Sequence, residues 1–361
     1  MKKYIWSAVI VIIVIIGIVA IVRRPNTPAG EKQTVKIGVI LPLTGPVAIL
    51  GEPSKKAAEL ALSDAGNTKY NYELIFEDSQ FDPKLAVTAA SKLINIDKVL
   101  AIINFGSGTG NSINPVAESG KTAQFSLASD PTIANGDYNF IHWTPPFKEG
   151  ELLAQEIIKR GYKKVSIVDA NHPGAFAVTN PVKASLAKAG VEVASYDVIN
   201  IGTRDFKTII SKIKQINPDI VILEMFSPEI EIIAQQMKDL NLNKPLTSVE
   251  TFEWSSNPSL FEGSWFVADS VVPNFSAKFL KAYESPALAG SSYTYDLVSF
   301  LIKTQEKQRE VIAPSALPDL IKAMGSWKSP VFGNVPIDSD GFFITEASVK
   351  MITNGQAVPV K

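Results

Sequence analysis

The stretch NFGSGTGNS (104–112) follows the apolar run KVLAII (98–103) and carries three glycines, Gly106, Gly108 and Gly110, interleaved with the hydroxyls of Ser107, Thr109 and Ser112. A strand, a glycine turn and a helix start together form the setting in which backbone N–H groups point at an anion. Two nucleotide readings can be tested on spacing. A phosphate loop needs a lysine after its last glycine, and none follows here. A dinucleotide fingerprint needs G-x-G-x-x-G after the first strand of its unit; this turn is G-x-G-x-G and follows the third strand, although Asp130 stands at a plausible distance for the ribose acid. A second hydroxyl-bearing strand end, FSLAS (125–129) with Ser126 and Ser129, comes next. Neighbouring parallel strands end at the same sheet edge, where open α/β folds bind ligands. Two such turns side by side suit a small carboxylate better than a pyrophosphate, with a plain β–α turn as the alternative.

Other reactive constellations are sparse. The chain has no cysteine and only two histidines, His142 in FIHWT and His172 in DANHPG. Thiol nucleophiles are therefore excluded, and the histidines lack the spacing of a metal pair. There is no G-x-S-x-G elbow. DSDG (338–341) starts like a calcium loop but lacks the downstream bidentate acid, so it reads as a β-turn. A formal net charge of −1 offers no electrostatic footprint for nucleic acid. The expectation is a protein that is not an enzyme, with no catalytic residue, no metal and no cofactor.

The elements that must position the glycine turn form a regular series. Strand-like runs at 35–43, 72–79, 98–105, 123–129 and 139–144 alternate with helical patterns at 54–66 and 82–95, the latter opened by an Asp cap and a proline. The alternation restarts with helix 149–161, strand 163–170, helix 178–190, strand 191–199, helix 205–217, strand 218–226, helix 227–241 and strand 244–250. Two doubly wound α/β lobes account for this more economically than one very wide sheet. The last third holds two helices, 291–310 and 318–327, and a hairpin-like end with D-x-D-G and N-G turns (333–361).

The first segment differs in kind. Lys2 and Lys3 precede an uninterrupted apolar or small run from Tyr4 to Val22, and Arg23 and Arg24 close it. That run is about long enough to cross a bilayer as a helix. It is longer than a signal-peptide core and has no small-x-small cleavage site, and no cysteine is available for a lipid anchor. Residues 1–24 are expected to be an uncleaved transmembrane signal anchor, 25–34 a linker, and 35–361 a domain on the extracytoplasmic side.

Six stretches, in order, carry a family resemblance: VKIGVILPLTGPVAILGEPSKKAAELAL (35–62), EDSQFDPKLAV (77–87), GSGTGNSINPVAE (106–118), FSLASDP (125–131), SYTYDLV (292–298) and GNVPIDSDGFF (333–343). Together they resemble the type I periplasmic binding proteins of the branched-chain amino-acid group. The resemblance implies two α/β lobes joined by three hinge crossings, lobe one at about 35–144 and 270–335, lobe two at about 145–269 and 336–361, with the ligand between them. It implies a monomer that hands an amino acid to the permease of an ABC transporter; a sensor of the same fold is the alternative. It puts the ligand's α-carboxylate on Ser107 and Ser129, with Gly106, Thr109 and the backbone at Leu127 beside them, and its α-ammonium on Glu250. The chain departs from the pattern at Leu50, where relatives often carry an aromatic residue, at Phe226, where tyrosine is common, and at Trp143, where a smaller or basic residue is expected. Phe176 is the nearest substitute for another missing aromatic. The cleft should thus be more apolar than in relatives and take an apolar side chain.

Overall fold

The computed structural model describes residues 32–288 and 290–360. The apolar run read as a membrane anchor lies outside these residues. No helix among the described residues is long and apolar enough to cross a membrane.

Strands β1 (Thr34–Leu41), β2 (Asn71–Asp78), β3 (Ala101–Phe105), β4 (Ala123–Leu127) and β5 (Asn139–Trp143) alternate with helices α1 (Gly51–Ala65), α2 (Pro83–Lys92) and α3 (Ser107–Gly120). Continuous apolar strands such as AIINF are buried end to end, as a parallel sheet covered on both faces requires. Asp82 opens α2 by accepting the amides of Lys84 and Leu85, with Pro83 at the first helical position. The second series is α4 (Pro146–Lys159), β6 (Lys164–Ala170), α5 (Pro173–Lys188), β7 (Glu192–Ile199), α6 (Lys207–Ile216), β8 (Ile220–Glu224), α7 (Glu229–Asp239), β9 (Leu246–Thr247) and β10 (Trp265–Asp269). The remainder is α8 (Pro273–Tyr283), α9 (Ser291–Glu306), α10 (Leu317–Met324), β11 (Ser326–Ser329), β12 (Gly333–Pro336), β13 (Phe342–Ile344), β14 (Ala347–Thr353) and β15 (Gln356–Pro359).

The first sheet has the order β13-β5-β4-β3-β1-β2 and the second β7-β6-β8-β9, all parallel. A small antiparallel sheet, β10-β14-β15, joins the second lobe through a bridge between Val267 and Val249. The Asn354-Gly355 turn closes its hairpin with left-handed backbone at both residues. Asp338 closes the DSDG turn by accepting the amides of Asp340 and Phe342.

Two expectations need correction. The lobe boundary at 335/336 is displaced: residues 342–344 pair with β5 in the first sheet, so the chain returns to the second lobe only at β14. The final third also contains a helix not expected from its pattern, α8. The chain passes between lobes after β5, after β10 and after β13. These crossings are laced together: Ser270 donates its amide to the Glu346 carbonyl, Lys148 bonds the Glu346 carboxylate, and the hydroxyls of Thr144 and Thr345 meet at 3.0 Å.

Candidate functional site

A cavity lies between the lobes, walled by residues at or just past the C-terminal ends of β3, β4 and β5 on one side and of β6, β8 and β9 on the other. Strand β1 has its sequence neighbours on opposite sides in the first sheet, as β6 has in the second, which is the arrangement that opens a crevice at a sheet's C-terminal edge. Of the residues singled out from the sequence, Gly106, Ser107, Leu127, Ser129, Phe226 and Glu250 line the cavity. Thr109 and Leu50 do not. The Thr109 hydroxyl folds back onto the carbonyls of Phe105 and Gly106, a local bond that removes it from the cleft. Leu50 closes a short 3-10 turn and packs into the core. Phe176, half-buried, is not among the lining residues.

The glycine turn works through its backbone. Gly106 precedes α3 with φ +105°, and a Cβ there would run into the Phe81 ring, so the position takes only glycine. The first amides of α3 have no side-chain cap and stand at the positive end of the helix dipole. Ser107 accepts the Asp130 amide at 3.2 Å, which leaves its own O–H available to donate. The Asp130 carboxylate is engaged by Asn111 and Thr132. This half of the cavity is a set of donors suited to a carboxylate.

The other half is acidic. Glu250 is buried on left-handed backbone (φ +60°), its amide bonded to Val267 and its Oε2 receiving the Trp143 indole N–H at 3.0 Å. Burial, with Asp269 and Glu253 nearby, pushes the Glu250 carboxyl up to about 8. Glu224, which also lines the cavity, accepts the Val249 amide and is raised well above the usual carboxylate range by burial. Among the described residues, no lysine or arginine lines the cavity, and no group of acids and histidines could hold a metal ion.

A ring of aromatic side chains joins the two halves. Phe105 meets Trp143 (centroids 6.3 Å), Trp143 meets Trp254 (6.3 Å), Trp254 stacks on Phe226 (6.0 Å), Phe226 meets Phe81 (5.5 Å) and Phe81 returns to Phe105 (6.5 Å). His172 stacks on Phe81 at 5.2 Å. Phe81, Phe105 and Trp143 belong to the first lobe and His172, Phe226 and Trp254 to the second, so the ring exists only when the lobes are together. Tyr293 stacks behind Trp143 at 4.3 Å, and Glu231 gathers Ser227, Ser255 and Ser256, fixing the loops that carry Phe226 and Trp254. Phe81, like Glu250, has left-handed backbone (φ +61°), strain of the kind that concentrates at ligand sites.

The lobes are in close contact. Gly174, near the start of α5, lies so near that an added Cβ would stand 2.8 Å from Ser107 Oγ. His172 caps α5, its Nδ1 accepting the Gly174 amide, and burial pushes the imidazole down to about 4, so it is neutral. His172, Phe81, Phe105, Glu224, Gly174 and Trp254 were not among the residues singled out for the site. Glu224 had a signal, an acid ending the apolar run DIVIL.

The sequence profile described as "Periplasmic binding protein" matches residues 34–356. A Brucella melitensis protein named Leu/Ile/Val-binding protein homolog 3 is 27% identical over 285 residues, covering 74% of this chain and 77% of its own. A leucine-binding protein of Thermotoga maritima superposes with TM-score 0.82 at 22% identity, covering 91% of this chain and 98% of its own. A solute-binding protein of an ABC transporter from Rhodopseudomonas palustris, solved with 3,4-dihydroxybenzoic acid, superposes with TM-score 0.81 at 18% identity, covering 91% and 96%. At these identities the structural likenesses speak to the fold.

Proposed function

Because the chain belongs to the periplasmic binding protein family, whose members bind solutes rather than transform them, we propose that it captures an α-amino acid with an apolar side chain by closing its two lobes. The observation that carries this reading is the pairing, across one cavity, of a donor-lined cup in the first lobe with the buried acid Glu250 in the second. The α-carboxylate takes the Ser107 hydroxyl, the opening amides of α3, and the Ser129 hydroxyl with the backbone at Leu127. The α-ammonium takes Glu250. The side chain enters the ring of Phe81, Phe105, Trp143, Phe226 and Trp254. A ligand held from both sides stabilises the closed form over the open one, which is what a capture protein needs.

The name of the Brucella relative and that of the Thermotoga protein support an aliphatic amino acid. The aromatic ring and the Rhodopseudomonas neighbour favour a second reading, an aromatic carboxylate. Glu250 separates the two, since a benzoate has no ammonium for it. Thermal melting against a panel of amino acids and benzoates tests the choice: a ligand at a hundred times its Kd adds about 2.7 kcal/mol. A shift with benzoates and none with any amino acid would overturn the first reading.

The remainder of the proposal follows from sequence and family. The domain works outside the cytoplasm, tethered by residues 1–24, as a monomer that delivers its ligand to an ABC permease. A sensor role is the alternative; a permease gene beside this one would favour transport and a kinase gene sensing.

A further inference from the structure

Glu149, in the first turn of α4, is fully buried, and neither of its carboxylate oxygens receives a hydrogen bond from a described residue. It lies within hydrogen-bonding reach of Glu250. Two ionised carboxylates in contact, both out of water, combine two desolvation penalties with like-charge repulsion. The surroundings do not relieve it. Asp269 on β10, Glu253 in the turn just after Glu250 and Glu224 at the end of β8 are further acids facing the pair. Lys350 on β14 is the cation near Glu250, and its ammonium is engaged by Glu253 (2.6 Å) and Asp269 (3.1 Å). Tyr293 on α9 is held in its neutral form by burial and by these acids. The pair therefore holds a proton. Glu250 has a donor in Trp143, whereas Glu149 has none, so Glu149 is the better site for it.

We propose that Glu149 is a protonated positioning residue, its O–H donated to Glu250, and that capture of a ligand ammonium at Glu250 expels a second proton to solvent. This rests on the amino-acid reading only for its second half. Before capture, burial keeps Glu250 itself largely protonated at neutral pH. Afterwards the ammonium compensates a Glu250 carboxylate that is braced by Trp143 and Glu149.

Two measurements on the full chain test this. Calorimetric titration with L-leucine in buffers of different ionisation enthalpy should read close to one proton released at pH 7. Affinity should rise about tenfold per pH unit from pH 6 to 8, then level. Glu149→Gln, whose amide N–H replaces the carboxyl O–H, should keep the wild-type affinity and pH profile. Glu149→Leu should weaken binding about tenfold at pH 7, the loss of one charge-assisted hydrogen bond, and move the profile to higher pH. A Glu149→Gln protein that binds tighter at pH 7, with its profile moved to lower pH, would show that Glu149 had been ionised and overturn the proposal. Infrared spectroscopy of the ligand-free protein needs neither leucine nor Glu149→Leu: Glu149→Gln should lose one protonated-carboxyl C=O band, and an unchanged band count would overturn the proposal whatever the ligand proves to be.

Discussion

Trp143, at the end of the first lobe's β5, donates its indole N–H to Oε2 of Glu250 in the second lobe, at 3.0 Å. The bond links the first hinge crossing to the acid that faces the cleft. Its worth depends on Glu250 being a carboxylate, the form a ligand ammonium also requires. Trp143→Phe keeps the ring stacked on Tyr293 and removes the donor. Calorimetry should find leucine affinity about tenfold lower, the loss of one charge-assisted hydrogen bond, with an unchanged circular dichroism spectrum. Unchanged affinity would mean the bond plays no part in capture.

The two ends of the cavity should respond unequally to mutation. Ser107→Ala removes one hydroxyl donor and should weaken leucine about tenfold, because the amides of α3 remain. Glu250→Gln removes the counter-charge of a buried ion pair and should cost about a hundredfold or more. Without ligand Glu250→Gln should not melt lower than the wild type, since burial already works against an ionised Glu250, and Ser107→Ala should lose only about 1 kcal/mol, because the Asp130 amide loses its acceptor. Normal binding by both would remove the site from this cavity.

Gly174 offers a test of closure separate from chemistry. Alanine in the first turn of α5 should leave the ligand-free protein within about 1 kcal/mol of the wild type, the restriction of the unfolded chain offsetting a Cβ contact with His172 Nδ1 at 3.2 Å. Its Cβ would nevertheless press on Ser107 Oγ in the closed form. Gly174→Ala should therefore lose affinity while its melting temperature holds, and small-angle scattering should show less compaction on adding leucine. Full compaction at wild-type affinity would contradict the closed geometry.

His172 gives an acid-side signature. Its imidazole sits at about 4 in the folded protein against an ordinary value near 6.5. Between those values the unfolded chain binds more protons, so this contribution to stability is full above about pH 6.5 and is lost as the pH falls toward 4. Glu250 acts oppositely: raised to about 8, it binds protons preferentially in the folded state, and stability falls as pH rises through the window from about 4.5 to 8. Subtracting urea-melt stabilities of His172→Gln from wild type isolates the histidine. The difference should change by up to about 3 kcal/mol between pH 7 and 4; a flat difference would mean the imidazole is solvated.

The sheets were legible because their strands are continuous apolar runs and their helices carry local start signals, as Asp82 and Pro83 do. That Gly106, Ser107 and Ser129 line the cavity was legible because they sit in two short turns that close consecutive strands of one sheet. Thr109 was misread because its hydroxyl is spent on its own helix, and Leu50 because a short 3-10 turn buries it. The strand of β13 has three residues, too few for a period to register, and its lobe is decided by pairing with β5, some two hundred residues earlier in the chain. Helix α8 did carry signals, a proline at its start and Phe275 and Phe279 four apart. The aromatic ring and the Glu149–Glu250 pair had none, being assembled from segments that meet only in the folded chain.

The proposed function requires one cavity to read both charges of an amino acid. Calorimetry with L-leucine, its des-amino analogue 4-methylpentanoate and its decarboxylated analogue isoamylamine tests that directly. Leucine should bind, and each analogue should bind about a hundredfold or more weakly, because each strands one end of the site without its partner. If 4-methylpentanoate or benzoate bound as tightly as leucine, Glu250 would have no ammonium to recognise and the protein would not be an amino-acid binder of the proposed kind.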